Sequence, residues 1–366
     1  MDMTNLSGAN SIRAALGCVD DSRDETMKEQ WLEKLWQNLF DGDAGGLMSP
    51  GQIRREHRDR DRVRQMEMAS ILEVEQELND VHQGTKTLDE SGNLIDTPRV
   101  DAVATHQIIE NTAIEQSLDI GTDSSASMLR SVVKEVSVRD LERSLNLRKI
   151  AILAESEIID AHLRPISAQP LNAEWMIRWR ESAETVFNPE LQLLWAKVLI
   201  QEVALPGSYS LSLQSVLLQL SPNDLAAIRV GSQYAFSDFI YDATGSYFQS
   251  EVHESFLELM EDMGLLGASV IQKKIVSEAR VRFSVVLRCH NKGLRIEHAD
   301  KKKRLVLPAF KLSRVGRQLL SLCDADADIA YLFDLAKHIQ QQGFNVALGD
   351  LKAHGEHSEF IEKMVL

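Results

Sequence analysis

The sequence predicts a mainly α-helical protein with a smaller α+β part, and three observations lead to this fold class. Apolar residues recur at the three-and-four spacing of helices through most of the chain before residue 263. Beyond that point, residues 281–288 alternate between apolar and polar side chains, as half-buried strands do. The composition, 44% hydrophobic and 26% charged over 366 residues, is typical of globular domains. We expect a helical N-terminal region over 1–124, a helical domain over 125–250 and a winged-helix-like unit over 251–366.

Two helices are predicted early in the N-terminal region. Residues 27–40 place large apolar side chains on one helical face, namely Trp31, Leu32, Leu35, Trp36, Leu39 and Phe40. Residues 52–82 form a longer helix with a narrow apolar seam, which consists of Ile71, Val74, Leu78 and Val81. Such a seam is typical of a helix that packs along another helix. Because neither face has an obvious partner nearby in the sequence, we expect the seam to mediate self-association. Residues 83–100 are predicted to be a linker.

The helical domain contains the most clearly marked helix of the chain. Asn188 is a favoured N-cap residue, and Pro189 suits the first helical position. An apolar stripe with helical spacing follows, made of Leu191, Leu194, Trp195, Val198 and Leu199. The place of Trp195 on this stripe predicts a core residue rather than a ligand-binding one. Further helices are predicted over 101–118 and 128–163.

The C-terminal unit is predicted to be winged-helix-like because of the order of its elements. A helix over 253–263 precedes three short strands, which are predicted over 281–288, 294–298 and 305–310. A helix capped by Ser313 follows. Helices, a hairpin and a closing helix in this order resemble a winged helix, in which the hairpin forms the wing. A last helix, a strand at 344–348 and a polar tail are predicted to complete the unit.

A basic cluster of Lys301, Lys302, Lys303 and Arg304 falls at the predicted wing turn. A wing tip is where winged helices contact the phosphate backbone, so the cluster is a candidate nucleic-acid-binding site. The simpler interpretation is an exposed hairpin whose lysines keep it soluble and discourage edge aggregation. Both interpretations stay open from the sequence. The formal net charge of −15 requires any nucleic-acid contact to be made by a local basic patch.

No catalytic or metal-binding motif is recognisable, so we expect no enzyme activity, no cofactor and no metal. The chain lacks a glycine-rich phosphate loop, a nucleophile elbow and a His-Glu-x-x-His motif. Its three cysteines, Cys18, Cys289 and Cys323, show no metal-binding or redox spacing. The polar N-terminus and the lack of a long apolar window predict a cytoplasmic protein without membrane contact.

Residues 174–221 carry a family resemblance. The matching segments are Glu174-Trp175, Asn188 to Leu199, Glu202, Pro206 to Leu211 and Leu217 to Ser221. Through them, and over about residues 140–350, the chain resembles the bacterial domain-of-unknown-function 2806 family. The family has no established activity, so the resemblance implies no catalytic residue. A fainter similarity to abortive-infection alpha proteins, through a Leu-Trp-Ala helix, implies a role in phage defence only by analogy with those proteins.

The expected function is that of a non-enzymatic binding protein, in phage defence or regulation, which acts through protein or nucleic-acid contacts. The alternative is an oligomeric structural or interaction protein that binds no nucleic acid. The basic cluster at Lys301 to Arg304 favours the first function, and the seam from Ile71 to Val81 favours the second.

Overall fold

The computed structural model describes residues 27–28, 30–35, 39, 57–88, 94–96, 123–160, 167–242, 251–354 and 357–365. Within them, helices occupy His57–His82 (α1), Asp123–Asp160 (α2), Ala173–Ala183 (α3), Pro189–Ala204 (α4), Leu211–Gln219 (α5), Pro222–Ser232 (α6), Glu251–Asp262 (α7), Arg314–Leu320 (α8) and Ile329–Gln341 (α9). Strands occupy Lys86–Leu88 (β1), Leu94–Asp96 (β2), Phe239–Tyr241 (β3), Ile271–Ile275 (β4), Phe283–Cys289 (β5), Lys292–His298 (β6), Leu305–Lys311 (β7), Asn345–His354 (β8) and His357–Val365 (β9). The fold is a mixture of α and β structure. The predicted helix over 101–118, together with Trp36 and Phe40, lies outside the described residues.

The described strands form three antiparallel sheets. β1 pairs with β2 in a short hairpin, where the sequence predicts a linker. β3, β7 and β4 form a second sheet in that order, and β5, β6, β8 and β9 form a third. The tail predicted to be polar is therefore the edge strand β9, which pairs with β8. Among the described helices, none combines the length and the hydropathy that a membrane span needs.

The helical domain packs around α4, which begins as the sequence predicts. The Asn188 side chain accepts hydrogen bonds from the backbone N–H groups of Glu190 and Leu191, at 2.9 and 3.1 Å. Trp195 is fully buried within the main core, and its ring lies at a tilt to that of Trp179, with the centroids 6.4 Å apart. The prediction that Trp195 is a core residue is confirmed.

The helical segment near the N-terminus joins the same core. Four large apolar side chains of its predicted face are buried there: Trp31, Leu32, Leu35 and Leu39. On the neighbouring face, Lys34 Nζ donates hydrogen bonds to the carbonyls of Ser167 at 2.7 Å and Val203 at 3.1 Å. Carbonyls in the last turn of a helix lack an intrahelical partner, so the ammonium caps the end of α4. The contact fastens this segment to the helical domain.

α1 and α2 pack side by side in antiparallel orientation. Glu75 forms an ion pair with Lys149, and His82 Nε2 lies 2.6 Å from Glu142 Oε1. Seven residues forward along α1, from Glu75 to His82, therefore correspond to seven residues backward along α2, from Lys149 to Glu142. The two helices enclose a small apolar cluster of their own, made of Ile71, Leu78, Val138, Leu145 and Ile152.

The seam of α1 therefore has its partner within the same chain. Ile71 and Leu78 are each 3% exposed, and Val74 and Val81 pack against the same cluster. The expectation of self-association rested on the lack of a partner nearby in the sequence. The structure provides a partner farther along the chain, and self-association itself stays a prediction. The partner, α2, lies beyond a long intervening segment. The spacing of apolar residues within α1 cannot identify a partner so far away in the sequence.

β4 to β7 form one long, interrupted hairpin. Its outgoing arm runs through β4 and β5, and its return arm runs through β6 and β7. β5 pairs with β6 and β4 pairs with β7, whereas β6 and β7 belong to different sheets. A turn is present at the predicted place, but it connects two sheets within the return arm and is not the tip of a hairpin.

The actual tip of the hairpin is the turn at His290 and Asn291, where His290 has a φ of 50°. This tip is docked on other elements. His290 Nε2 lies 2.6 Å from the carbonyl oxygen of Ser232, and Asn291 Nδ2 donates to Asp326 Oδ1 at 2.6 Å. The tip is thus tied to the end of α6 and to the segment before α9.

We expect Trp195→Ala to lower the free energy of unfolding by about 3–5 kcal/mol, as for other buried large aromatic residues. Trp195→Phe should cost less, because Trp195 Nε1 has no hydrogen-bond partner in the described part of the chain. Phe187 is 61% exposed, so Phe187→Ala serves as the control and should change stability little. Urea unfolding of the three variants checks this. An unchanged midpoint for Trp195→Ala would contradict the core assignment.

We expect Leu78→Ala to loosen α1 from α2 at a cost of about 2–5 kcal/mol, without changing the molecular mass of the protein in solution. Leu72 lies on the same helix but is 54% exposed, so Leu72→Ala is the matched control. Hydrogen exchange followed by mass spectrometry should show faster exchange across α1 in the first variant only. A lower mass for Leu78→Ala in light scattering would instead place Leu78 in a contact between copies of the chain.

Candidate functional site

Positive charge is concentrated in one segment of an otherwise acidic chain. Residues 264–320 contain fourteen Lys and Arg but three Asp and Glu, which gives the segment a formal charge of +11. The whole chain carries −15, so the remainder carries −26. This segment includes the long hairpin and α8. It is the local basic region that a contact with a polyanion needs.

Two connections in the hairpin come together at one place, which we call the waist and define as residues 276–282 and 299–304. The first leaves the β4–β7 sheet after Ile275, which pairs with Leu305. It reaches the other sheet at Phe283, which pairs with His298. The second connection runs back between those same two pairs, from His298 to Leu305. Both therefore span the same gap between the two sheets.

Most cations of the waist are exposed. Arg280, Lys301, Lys302 and Arg304 are exposed, and none of them forms an ion pair within the described residues. Arg282 differs, because its guanidinium lies 3.2 Å from Glu297. The acidic side chain of Asp300 accepts a hydrogen bond from the backbone N–H of Lys302 at 2.9 Å, which fixes the turn without neutralising an ammonium.

The basic cluster predicted from the sequence divides into two kinds of residue. Lys301, Lys302 and Arg304 point to solvent, as a contact with phosphate requires. Lys303 has a structural role, because its Nζ donates to the carbonyl of Gly343 at 3.2 Å and lies 4.6 Å from the centroid of the Phe344 ring. The cluster thus belongs to the waist and not to a hairpin tip. The sequence reasoning missed Arg280, whose link to the cluster depends on strand register.

A second feature is an open pocket of about 420 Å³ between the helical domain and α8, which we call the junction pocket. Its lining consists of Gln201, Ser208, Tyr209, Ser237, Arg314, Arg317, Gln318 and Ser321. Arg314, Arg317, Gln318 and Ser321 follow a three-and-four spacing, so α8 and the residue after it present one polar face. Both arginines are exposed and form no ion pair within the described chain.

The opposite wall of the junction pocket is the turn at 206–210, and Glu202 holds this turn in place. The Glu202 side chain is 1% exposed. Its carboxylate accepts hydrogen bonds from the backbone N–H groups of Gly207 at 2.6 Å and Tyr209 at 2.9 Å. Gly207 has a φ of +89°, a conformation that glycine adopts without strain. The carboxylate therefore fixes the direction in which Ser208 and Tyr209 face α8.

Hydrogen bonds from α8 complete the wall. Gln318 Nε2 donates to the carbonyl of Ser208 at 2.6 Å, and Gln318 Oε1 accepts from Ser210 Oγ at 2.8 Å. The Tyr209 hydroxyl lies 3.5 Å from Ser321 Oγ. Burial raises the pKa of the Tyr209 phenol, and the Glu202 carboxylate adds to this effect. The phenol therefore stays protonated and keeps its proton for donation. The sequence analysis singled out none of these contacts, because each joins residues far apart in the chain.

Of the two described cysteines, Cys289 is buried and Cys323 is half-buried. Cys289 Sγ donates to the carbonyl of Gln233 at 3.3 Å, and burial raises the pKa of Cys289 to about 12. Burial also raises the pKa of Cys323 to about 11, against the opposing effect of Arg229. Within the described ranges, no three His, Cys, Asp or Glu side chains are grouped closely enough to hold a metal ion.

Residues 133–229 match the family described as Protein of unknown function (DUF2806). The chain thus resembles this family over its helical middle, from within α2 into α6. The match includes Trp195, Glu202 and the 206–210 turn, but it ends before β3, so it is shorter than the range of about 140–350 expected from the sequence. The waist and the arginines of α8 lie outside it. No match to a curated protein or to a solved structure was found. The fainter similarity to abortive-infection alpha proteins stays a prediction.

We expect Cys289 and Cys323 to be unreactive in the folded protein. The thiolate is the reactive form of cysteine, and at about pH 8 both raised pKa values leave almost none of it. In a Cys18→Ser variant, a colourless disulfide reagent that releases a dye should report no thiol before unfolding and both thiols in urea. Fast labelling of either thiol without urea would contradict the raised pKa of that thiol.

Proposed function

We propose that this chain is a non-enzymatic nucleic-acid-binding protein that contacts the phosphate backbone through the waist. One observation carries the proposal: exposed cations that form no ion pair within the described part of the chain are brought together where two connections cross the same gap. Arg280 comes from the outgoing arm, and Lys301, Lys302 and Arg304 come from the return arm. Cations that are left unpaired on an acidic protein are available to a polyanionic partner.

The electrostatics favour contacts with the phosphate backbone over recognition of particular bases. Lys and Arg that neutralise phosphates release condensed counterions, which gives affinity for nucleic acid of any sequence. Such contacts position a protein without distinguishing bases. The net charge of −26 outside residues 264–320 repels nucleic acid from other surfaces, so the approach is directed to this segment. We therefore propose binding that depends steeply on salt and weakly on sequence.

We further propose that the C-terminal unit has a winged-helix-like arrangement. α6 and α7 precede a hairpin whose arms β4 and β7 pair in antiparallel fashion, and α8 closes the unit. A wing ordinarily contacts phosphate. Here the hairpin tip is occupied by its contacts with Ser232 and Asp326, so the waist takes the place of the tip in the proposed contact.

The alternative function is that of an interaction protein without nucleic-acid binding. It is favoured by two exposed valines on the waist, Val276 at 61% and Val281 at 87% exposure. Exposed apolar side chains among cations fit an acidic protein surface as well as they fit nucleic acid. Binding measurements distinguish the two functions.

We expect the full-length protein to bind random-sequence duplex and single-stranded DNA at low salt. The affinity should fall steeply between about 50 and 200 mM salt. The variant Lys301→Gln/Lys302→Gln/Arg304→Gln should weaken binding to all sequences alike. It should also reduce the slope of log affinity against log salt by about 0.9 for each lost duplex contact. Fluorescence anisotropy measures both quantities.

The control variant removes three exposed cations from elsewhere, Arg178→Gln/Arg229→Gln/Lys337→Gln, each of which is ion-paired. It changes the net charge equally and should leave the slope unchanged. Equal losses in the two triple variants would show a non-specific charge effect. The absence of binding by the unmodified protein at low salt would remove the nucleic-acid function and favour the interaction protein.

A further inference from the structure

We infer that the junction pocket binds a terminal phosphate group, where the two arginines of α8, which form no ion pair within the described residues, face the turn that Glu202 holds. The phosphate belongs either to a free nucleotide or to the end of a nucleic-acid strand, and its chemistry is the same in both. The inference does not rest on the proposed function of the waist, because the two sites share no residue.

The charge of the lining selects for an anion. Two of its eight residues are arginines, and none is Asp or Glu. Arg314 and Arg317 are separated by three positions, which places them on the same side of the helix. A guanidinium matches the geometry of phosphate oxygens and can donate two parallel hydrogen bonds. Two arginines that form no ion pair with any described residue, in a lining without Asp or Glu, therefore favour phosphate over a cation or a neutral ligand.

The uncharged part of the lining is already ordered by hydrogen bonds. Ser208 Oγ and Ser321 Oγ donate to the carbonyls of Leu205 and Gln318, at 2.5 and 2.8 Å, so both oxygens can only accept from a ligand. The hydroxyl donors of the lining are therefore Ser237 and the Tyr209 phenol. Tyr209 is 8% exposed and its backbone N–H is bound to Glu202, so its phenol is held at the wall. Gln318 is held by hydrogen bonds with Ser208 and Ser210. A site whose donors are ordered before binding loses less conformational entropy when the ligand arrives.

The size of the pocket indicates more than an inorganic ion. Small-molecule sites usually measure about 300–1,000 Å³, and this pocket measures about 420 Å³. It leaves room for a sugar and a base beside the phosphate. Gln201 provides an amide that can donate to and accept from such groups. A mononucleotide, or the terminal nucleotide of a strand, therefore fits the volume and the chemistry.

The test compares ligands with and without the phosphate on the full-length protein. Adenosine 5′-monophosphate and adenosine are titrated by calorimetry, and a 5′-phosphorylated oligonucleotide is compared with its 5′-hydroxyl form by anisotropy. We expect the phosphorylated member of at least one pair to bind at least about tenfold more tightly, as charge-assisted hydrogen bonds predict. A preference in the first pair identifies a free nucleotide as ligand, and a preference confined to the second identifies a strand end.

Variants assign the effect to the pocket. Arg314→Gln/Arg317→Gln should remove the preference for the phosphate, and Tyr209→Phe should reduce it. The control variant Arg178→Gln/Lys337→Gln should retain it, and melting curves confirm that each variant is folded. Equal binding with and without phosphate in both pairs overturns the inference, as does a preference that survives the arginine double variant.

If the waist variant loses DNA binding but the phosphate preference is absent, the pocket inference fails alone. If the preference is present without DNA binding to the waist, the proposed function fails alone.

Discussion

The buried carboxylate of Glu202 is the interaction on which the junction between the two halves of the molecule depends. Removing a carboxylate from water is costly unless hydrogen bonds replace its hydration, and here two backbone N–H groups do so at 2.6 and 2.9 Å. Those N–H groups belong to a turn that follows the end of α4. The carboxylate therefore provides the acceptors for two backbone donors of this turn.

The same turn is held from two further directions, so it has little freedom. Trp175 Nε1 donates to the carbonyl of Tyr209 at 2.9 Å, and Gln318 Nε2 donates to that of Ser208. One contact comes from α3 and the other from α8. The turn thus joins the helical domain to the C-terminal unit through its backbone, beside the junction pocket.

Local signals allowed the sequence to predict some elements, and non-local pairing explains those it could not predict. The predicted start of α4 is correct because Asn188 and Pro189 act on their immediate neighbours. The alternation after residue 281 marks strands, but alternation does not say which strands pair. β6 pairs with β5 and β8, so the turn before β7 could not be recognised as a connection between sheets. The partner of the seam in α1 could not be predicted for the same reason, since α2 is distant in the sequence.

The position of the waist argues against protection of a sheet edge as the reason for its cations. Lysines on an edge strand discourage pairing with other chains, and that explanation suits Lys273 and Lys274 on the edge strand β4. The waist has no ladder to protect, so edge protection does not account for Lys301, Lys302 and Arg304. Charges are screened beyond about 8 Å at physiological ionic strength, so the acidic remainder of the chain affects a bound anion less than neighbouring cations do. A phosphate near the waist or the junction pocket therefore experiences mainly the local basic residues, although the protein as a whole is acidic.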